Sequence, residues 1–128
     1  MSNVARNVAR ALIEIGGVGF VPDSPISFKS GILSPMYIDN RKFPSYPKQW
    51  SVVLEGFKQK MLEGKIEFEM LAGIETAGIP HSAGLGALLM KPSVFIRKAA
   101  KDHGTKRMVE GGSVEGKRVL LIEDLVTT

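Results

Sequence analysis

The sequence predicts an α/β domain, a parallel sheet flanked by helices. Short apolar runs at residues 68–74, Ser93–Ile96 and 118–122 have the length and texture of buried strands. Segments of helical period alternate with short apolar pieces along the chain, the pattern of strand-helix-strand units. A length of 128 residues with 44% apolar content suits one domain with a real core, since domains of roughly 100 to 150 residues are commonest.

From about residue 3 to 15, Val4, Val8, Ala11, Leu12 and Ile15 recur at helical spacing, and Gly16-Gly17 supplies the stop. Residues 18–43 change texture. Short apolar pieces are cut by Pro22, Pro25, Gly31 and Pro35, as in short strands joined by turns. Pro44 and Pro47 lead into a second helix over residues 48–62, with Trp50, Val53, Leu54, Phe57 and Met61 on one face and Gly64 at the end. After the strand at 68–74, Pro80 fits the first turn of a helix running to about Met90. Strands at Ser93–Ile96 and 118–122 follow. The polar, basic interval 99–109 lacks periodicity and reads as a loop, with a short hairpin toward Gly111-Gly112. No repeat, low-complexity tract or linker interrupts the chain, so a single domain is expected, about 1–43 forming an N-terminal helix and hood and about 44–128 an α/β core.

There is no cysteine, which excludes disulfides, thiolate metal sites and cysteine nucleophiles and is compatible with a cytoplasmic protein. No run approaches the ~20 apolar residues needed to span a bilayer, so no membrane partner is expected. A formal net charge of +4 leaves an anionic ligand or a nucleic acid open. A nucleotide site of the common kinds is disfavoured, because neither a Walker A loop nor a G-x-G-x-x-G fingerprint is present.

Two constellations carry chemistry. The apolar run ending at Ile122 is released into Glu123-Asp124-Leu-Val-Thr127-Thr128. Carboxylates at a strand end are ordinarily solvated. Followed by hydroxyl residues, they also match a sugar-phosphate site at the carboxyl end of a parallel strand, with acids for ribose hydroxyls and loop N–H groups for phosphate. The second is Arg97-Lys98-Ala-Ala-Lys101-Asp102-His103-Gly104-Thr-Lys106-Arg107, in which five of eleven residues are basic and one is acidic. Such a run can be a solvated face or a nonspecific nucleic acid contact. It also begins at a strand end, where it could clamp a diphosphate leaving group.

The strand, acid pair and hydroxyl loop resemble the ribose-phosphate signature of type I phosphoribosyltransferases, although the glycine expected after the threonines is missing. Within that group the resemblance narrows to orotate phosphoribosyltransferases. Arg97-Lys98-x-x-Lys101-x-His103-Gly104 is similar to their catalytic loop. Phe28-Lys29-Ser30-Gly31 followed by Ser34-Pro35-Met-Tyr37-Ile38-Asp39 resembles their N-terminal orotate-binding segment, and Ala72-Gly-Ile-Glu75-Thr76-Ala77-Gly78-Ile-Pro80 their diphosphate loop. These motifs stand in the family's order and cover residues 28–128.

The resemblance implies a type I phosphoribosyltransferase fold with an N-terminal hood, and transfer of 5-phosphoribosyl from 5-phosphoribosyl 1-diphosphate to orotate. Lys101, Glu123 and Asp124 are the implied catalytic residues. The donor would contact Lys29, Thr76, Ala77, Arg97, Lys98, Lys101, His103, Glu123, Asp124, Thr127 and Thr128. Orotate would meet Lys29, Tyr37, Ile38 and Thr127. His81, beside Pro80, is expected to be structural. Mg2+ is the implied cofactor, carried mostly by substrate oxygens, with no direct protein ligand assigned. A homodimer with shared active sites and a cytoplasmic location are implied, with no nucleic acid partner. The family's fold is expected to continue past Thr128 with a helix and further strands, so little or no activity is expected of these 128 residues alone. A noncatalytic regulator of the same fold that binds nucleic acid, or a transferase for another nucleobase, is the alternative. The hood pattern favours orotate.

Overall fold

The computed structural model describes residues 3–28, 30–99 and 108–126. These form two compact units. One comprises the described residues up to Val53 together with Leu125 and Val126, and the other spans Leu54–Asp124.

In the first unit, helix α1 covers Asn3–Glu14 and buries Ala11 and Leu12, with Ile15 buried just beyond it. Its stop is physical as well as compositional. Gly16 takes φ +62°, the left-handed conformation that glycine tolerates at a helix end. Lys42 Nζ donates to the carbonyl of Gly16 at 2.8 Å, so a cation sits where the helix leaves carbonyls unpaired. Strand β1 (Val18–Phe20) pairs antiparallel with β4 (Met36–Ile38), and β2 (Ile26–Ser27) with β3 (Leu33–Ser34). A 3-10 helix at Asn40–Ser45 follows, where the sequence indicates only strand and turn. Asp39 caps it, accepting from the Arg41 N–H at 3.2 Å, and Phe43 anchors it in the core.

Helix α2 runs over Pro47–Glu63, one residue longer at each end than the sequence periodicity indicates. Val53, Leu54 and Met61 are buried, while Trp50 and Phe57 are half-buried. The division between the units falls inside this helix, after Val53.

The second unit is a four-stranded sheet in the order β7-β6-β5-β8. Its central strand β5 (Met70–Ile74) is parallel to β6 (Ser93–Ile96) on one side and β8 (Val119–Ile122) on the other. A strand with neighbours on both edges and cover on both faces should be continuously apolar, and Met70, Leu71 and Ala72 are all buried. Helix α3 (Gly78–Leu89) connects β5 to β6, with Pro80 in its first turn. It packs through Leu85, Ser82 and His81, and the Ser82 and Ser93 hydroxyls share a hydrogen bond of 2.8 Å. A short strand β7 (Val109–Glu110) is antiparallel to β6, and most of the interval in which a hairpin is expected, residues 100–107, lies outside the described residues. Met70, Ala72 and Val94 form a core patch flanked by Ile96, Val109, Val114 and Val119.

Candidate active site

Parallel strands point their carboxyl ends the same way, so the residues that follow β5, β6 and β8 share one end of the sheet. Register makes this specific: Ile74 lies opposite Ile96, and Gly73 opposite Ile122. Glu75, Thr76 and Ala77 leave β5. Arg97 and Lys98 leave β6, and Glu123 and Asp124 leave β8.

Gly78 lets α3 begin against that strand end. A Cβ at this position would collide with the Ile122 carbonyl oxygen and lie 3.3 Å from Glu123 Cα. The start of α3 is thereby packed on the end of β8 at Ile122 and Glu123. Ala77 occupies the cap position and makes no side-chain cap hydrogen bond, so no side chain of the cap competes for the N–H groups of the first turn. The peptide bond between Glu75 and Thr76 is cis.

The two carboxylates differ in environment. Glu123 Oε1 accepts the Asp124 N–H at 2.9 Å. Burial is the strongest influence on the Glu123 carboxyl and pushes its pKa up. The Asp124 N–H opposes that rise, the Asp124 carboxyl adds to it, and the charge of Lys98 opposes it more weakly. Two adjacent acids beside a cation can receive vicinal hydroxyls as hydrogen-bond donors while the neighbouring main chain faces an anion.

On the β6 side, the Arg97 guanidinium lies 3.9 Å from Glu110 on β7. Its main-chain N–H donates to Met108 at 2.8 Å. Lys98 is exposed, and its N–H donates to Glu75 Oε2 at 2.9 Å. The structure thus brings Thr76, Ala77, Arg97, Lys98, Glu123 and Asp124 to one end of one sheet. Glu75 joins them, although it stands in the diphosphate-loop motif without a role assigned to it there. Its signal in the sequence is faint: a lone acid directly after a buried strand.

Tyr37 and Ile38 belong to the other unit, on β4, both partly exposed. Tyr37 pairs with Gly19, and its ring occupies the space where a Cβ of Gly19 would be. The expected contacts from Lys29, Lys101, His103, Thr127 and Thr128 fall outside the described residues. His81 is buried in α3, as a structural histidine would be. Among the described residues, no group of three or more His, Asp or Glu side chains is arranged to hold a metal ion by itself, and no helix is long and apolar enough to cross a membrane.

No family model matches the sequence. The chain is 43% identical over 128 residues to the orotate phosphoribosyltransferase of Enterococcus faecalis, covering all of this chain and 61% of that protein. It is 39% identical over 126 residues to the enzyme of the same name from Coxiella burnetii, covering 98% of this chain and 60% of that one. Among solved structures, the UMP synthase of Leishmania donovani superposes with a TM-score of 0.75 at 26% identity, over 94% of this chain and 24% of that one. The chain spans about three-fifths of the length of the curated relatives it matches. In sequence and in fold, the chain is similar to orotate phosphoribosyltransferases over about three-fifths of their length.

Proposed function

We propose that the chain supplies the donor-binding part of an orotate phosphoribosyltransferase, the enzyme that transfers 5-phosphoribosyl from 5-phosphoribosyl 1-diphosphate to orotate. The observation that carries this reading is the convergence of a main-chain N–H loop, a cationic segment and an acidic pair at the ends of β5, β6 and β8. In this reading Thr76 and Ala77 present N–H groups to the diphosphate, reinforced by the positive end of α3. Lys98 and Arg97 neutralise it, and Glu123 and Asp124 accept the ribose hydroxyls. Tyr37 and Ile38 meet orotate. Lys29, Lys101 and His103 add donor contacts, with Lys101 countering charge on the departing diphosphate, and Thr127 and Thr128 begin the 5′-phosphate loop.

In the reaction, the bond from the anomeric carbon to diphosphate oxygen breaks and a bond to the deprotonated ring nitrogen of orotate forms. The products are orotidine 5′-monophosphate and diphosphate. The sugar carries oxocarbenium character between the two events, so no protein nucleophile is needed. The protein's part is to hold two anions in line, stabilise the leaving group and keep water away. Mg2+ suits this site when the ribose and diphosphate oxygens provide most of its ligands, because Glu123 and Asp124 form a pair rather than a cage. We infer a cytoplasmic homodimer sharing its active sites. The relatives' names favour orotate over the nucleic acid-binding alternative.

Calorimetric titration with the donor and magnesium tests the reading. Saturable binding is expected, weakened roughly tenfold or more when Glu123→Gln and Asp124→Asn are combined, since charge-assisted hydrogen bonds to the ribose are lost. A folded chain that takes up no donor at about 1 mM, which corresponds to a very weak site, would refute it.

A further inference from the structure

Glu75 is the one charged side chain in the loop after β5, and the proposed chemistry gives it no part. Its main-chain N–H donates to the Ile96 carbonyl at 2.8 Å, extending the β5–β6 ladder by one step. Its Oε2 accepts the N–H of Lys98 at 2.9 Å. A single residue thus ties the start of the diphosphate loop to the end of β6 and to the second residue beyond it. Charge alone argues against an acid here, since a carboxylate beside a diphosphate repels it. The carboxylate is instead engaged with main chain, and the Lys98 charge bears on Glu123 across the same end of the sheet.

We propose that Glu75 is a positioning residue that pins the main chain at Lys98, holding the Thr76 and Ala77 N–H groups and the Arg97 and Lys98 cations at one spacing for a diphosphate group. The diphosphate part of this inference rests on the functional reading above; the tether does not.

Amide hydrogen exchange on the 128-residue chain without ligand reads the tether directly. Glu75→Ala should speed exchange at Lys98 roughly three- to tenfold, the worth of one partly exposed hydrogen bond. Exchange at Leu71, whose N–H donates to Pro92 on the core side, should not change. Glu75→Gln keeps an acceptor oxygen and should fall between the two. If Glu75→Ala also speeds Leu71, the Gln variant decides, and faster Lys98 exchange with Leu71 unchanged supports the tether.

Titration with magnesium diphosphate and, separately, ribose 5-phosphate reads the positioning. Glu75→Ala should weaken diphosphate about three- to tenfold and leave ribose 5-phosphate within about twofold, while Glu75→Gln restores diphosphate binding. Unchanged Lys98 exchange in both variants overturns the inference. So does an equal loss for both ligands, or a Gln variant as weak as Ala. A wild-type chain that binds no diphosphate removes the proposed ligand, and the positioning role with it. Because Lys98 exchange is read without ligand, that failure is distinguishable from failure of the tether.

Discussion

The two compact units are stabilised internally by different means. In the α/β unit, β5 lies between two parallel strands, and its apolar run is buried across Met70, Leu71 and Ala72. In the N-terminal unit the strands are two or three residues long, and Phe20, Ile32, Leu33 and Met36 are exposed. There the order comes from main-chain pairing, turns and caps, with Phe43 and α1 providing the buried weight. Burial is the large stabilising term and local hydrogen bonds the small one, so equal substitutions should cost unequal amounts. Leu71→Ala, at a residue with 0% exposure, should lower unfolding stability by about 2 to 5 kcal/mol. Leu33→Ala, at 64% exposure, should change it by no more than about 0.5 kcal/mol. Urea denaturation of the two variants measures both. Comparable losses would break the contrast.

Glycines sharpen the same comparison with smaller effects. Gly78 in the α/β unit is required by contact: a Cβ meets the Ile122 carbonyl, which is main chain and cannot rotate away. Gly78→Ala should therefore cost about 1 to 3 kcal/mol, as overpacking does, and, under the proposed function, should weaken donor binding by displacing Glu123. Gly31 in the N-terminal unit is required by conformation. Its φ is +82°, no heavy atom lies within 4 Å of the place a Cβ would take, and its N–H closes a turn on the Phe28 carbonyl at 2.9 Å. Gly31→Ala should cost roughly 1 kcal/mol, the penalty of a left-handed alanine, and leave the acidic pair untouched. Thermal melts of both variants, with a donor titration of each, test the ordering. A larger loss at Gly31 would show that the turn at Gly31, and not the α3–β8 contact, is the tighter constraint.

What can be read from the sequence follows the same division. The apolar run of β5, the helical period of α1 and α2 and the strand-to-acid step at Ile122-Glu123 are signals contained in a few adjacent residues, and each corresponds to an element in the structure. The 3-10 helix at Asn40–Ser45 is not legible in this way. Six residues containing Pro44 show no period of 3.6, and the helix depends on Asp39 as a cap and on Phe43 finding a core. Glu75 is illegible for a different reason. Its carboxylate is defined by the Lys98 N–H, 23 residues away, and only the β5–β6 register brings the two together. Local pattern shows which residues can form a site; tertiary register decides which of them touch.

The smallest effect is also the one in which the two units should differ in sign. In the N-terminal unit, the Arg41 guanidinium hydrogen-bonded to Asp39 holds that carboxyl below its ordinary pKa, against a smaller opposing effect of burial. The unfolded chain then binds the proton more readily than the folded one. Asp39 therefore contributes stability that is present above its unfolded pKa and is lost as pH falls through the lower, folded value. In the α/β unit, burial raises Glu123, so the folded chain holds the proton more tightly. Stability falls as pH rises from the ordinary carboxylate value through the raised one, and the ionised form at neutral pH carries that cost. Asp39→Asn should flatten the loss of stability on the acid side, whereas Glu123→Gln should raise stability at neutral pH relative to about pH 4, the ordinary carboxylate range. Denaturation midpoints measured across roughly pH 3 to 8 for the two variants and the wild type check both signs. If Glu123→Gln lowers the neutral midpoint, the acidic pair is stabilised by its surroundings even without a ligand, and the α/β unit does not hold its site at a cost to the fold.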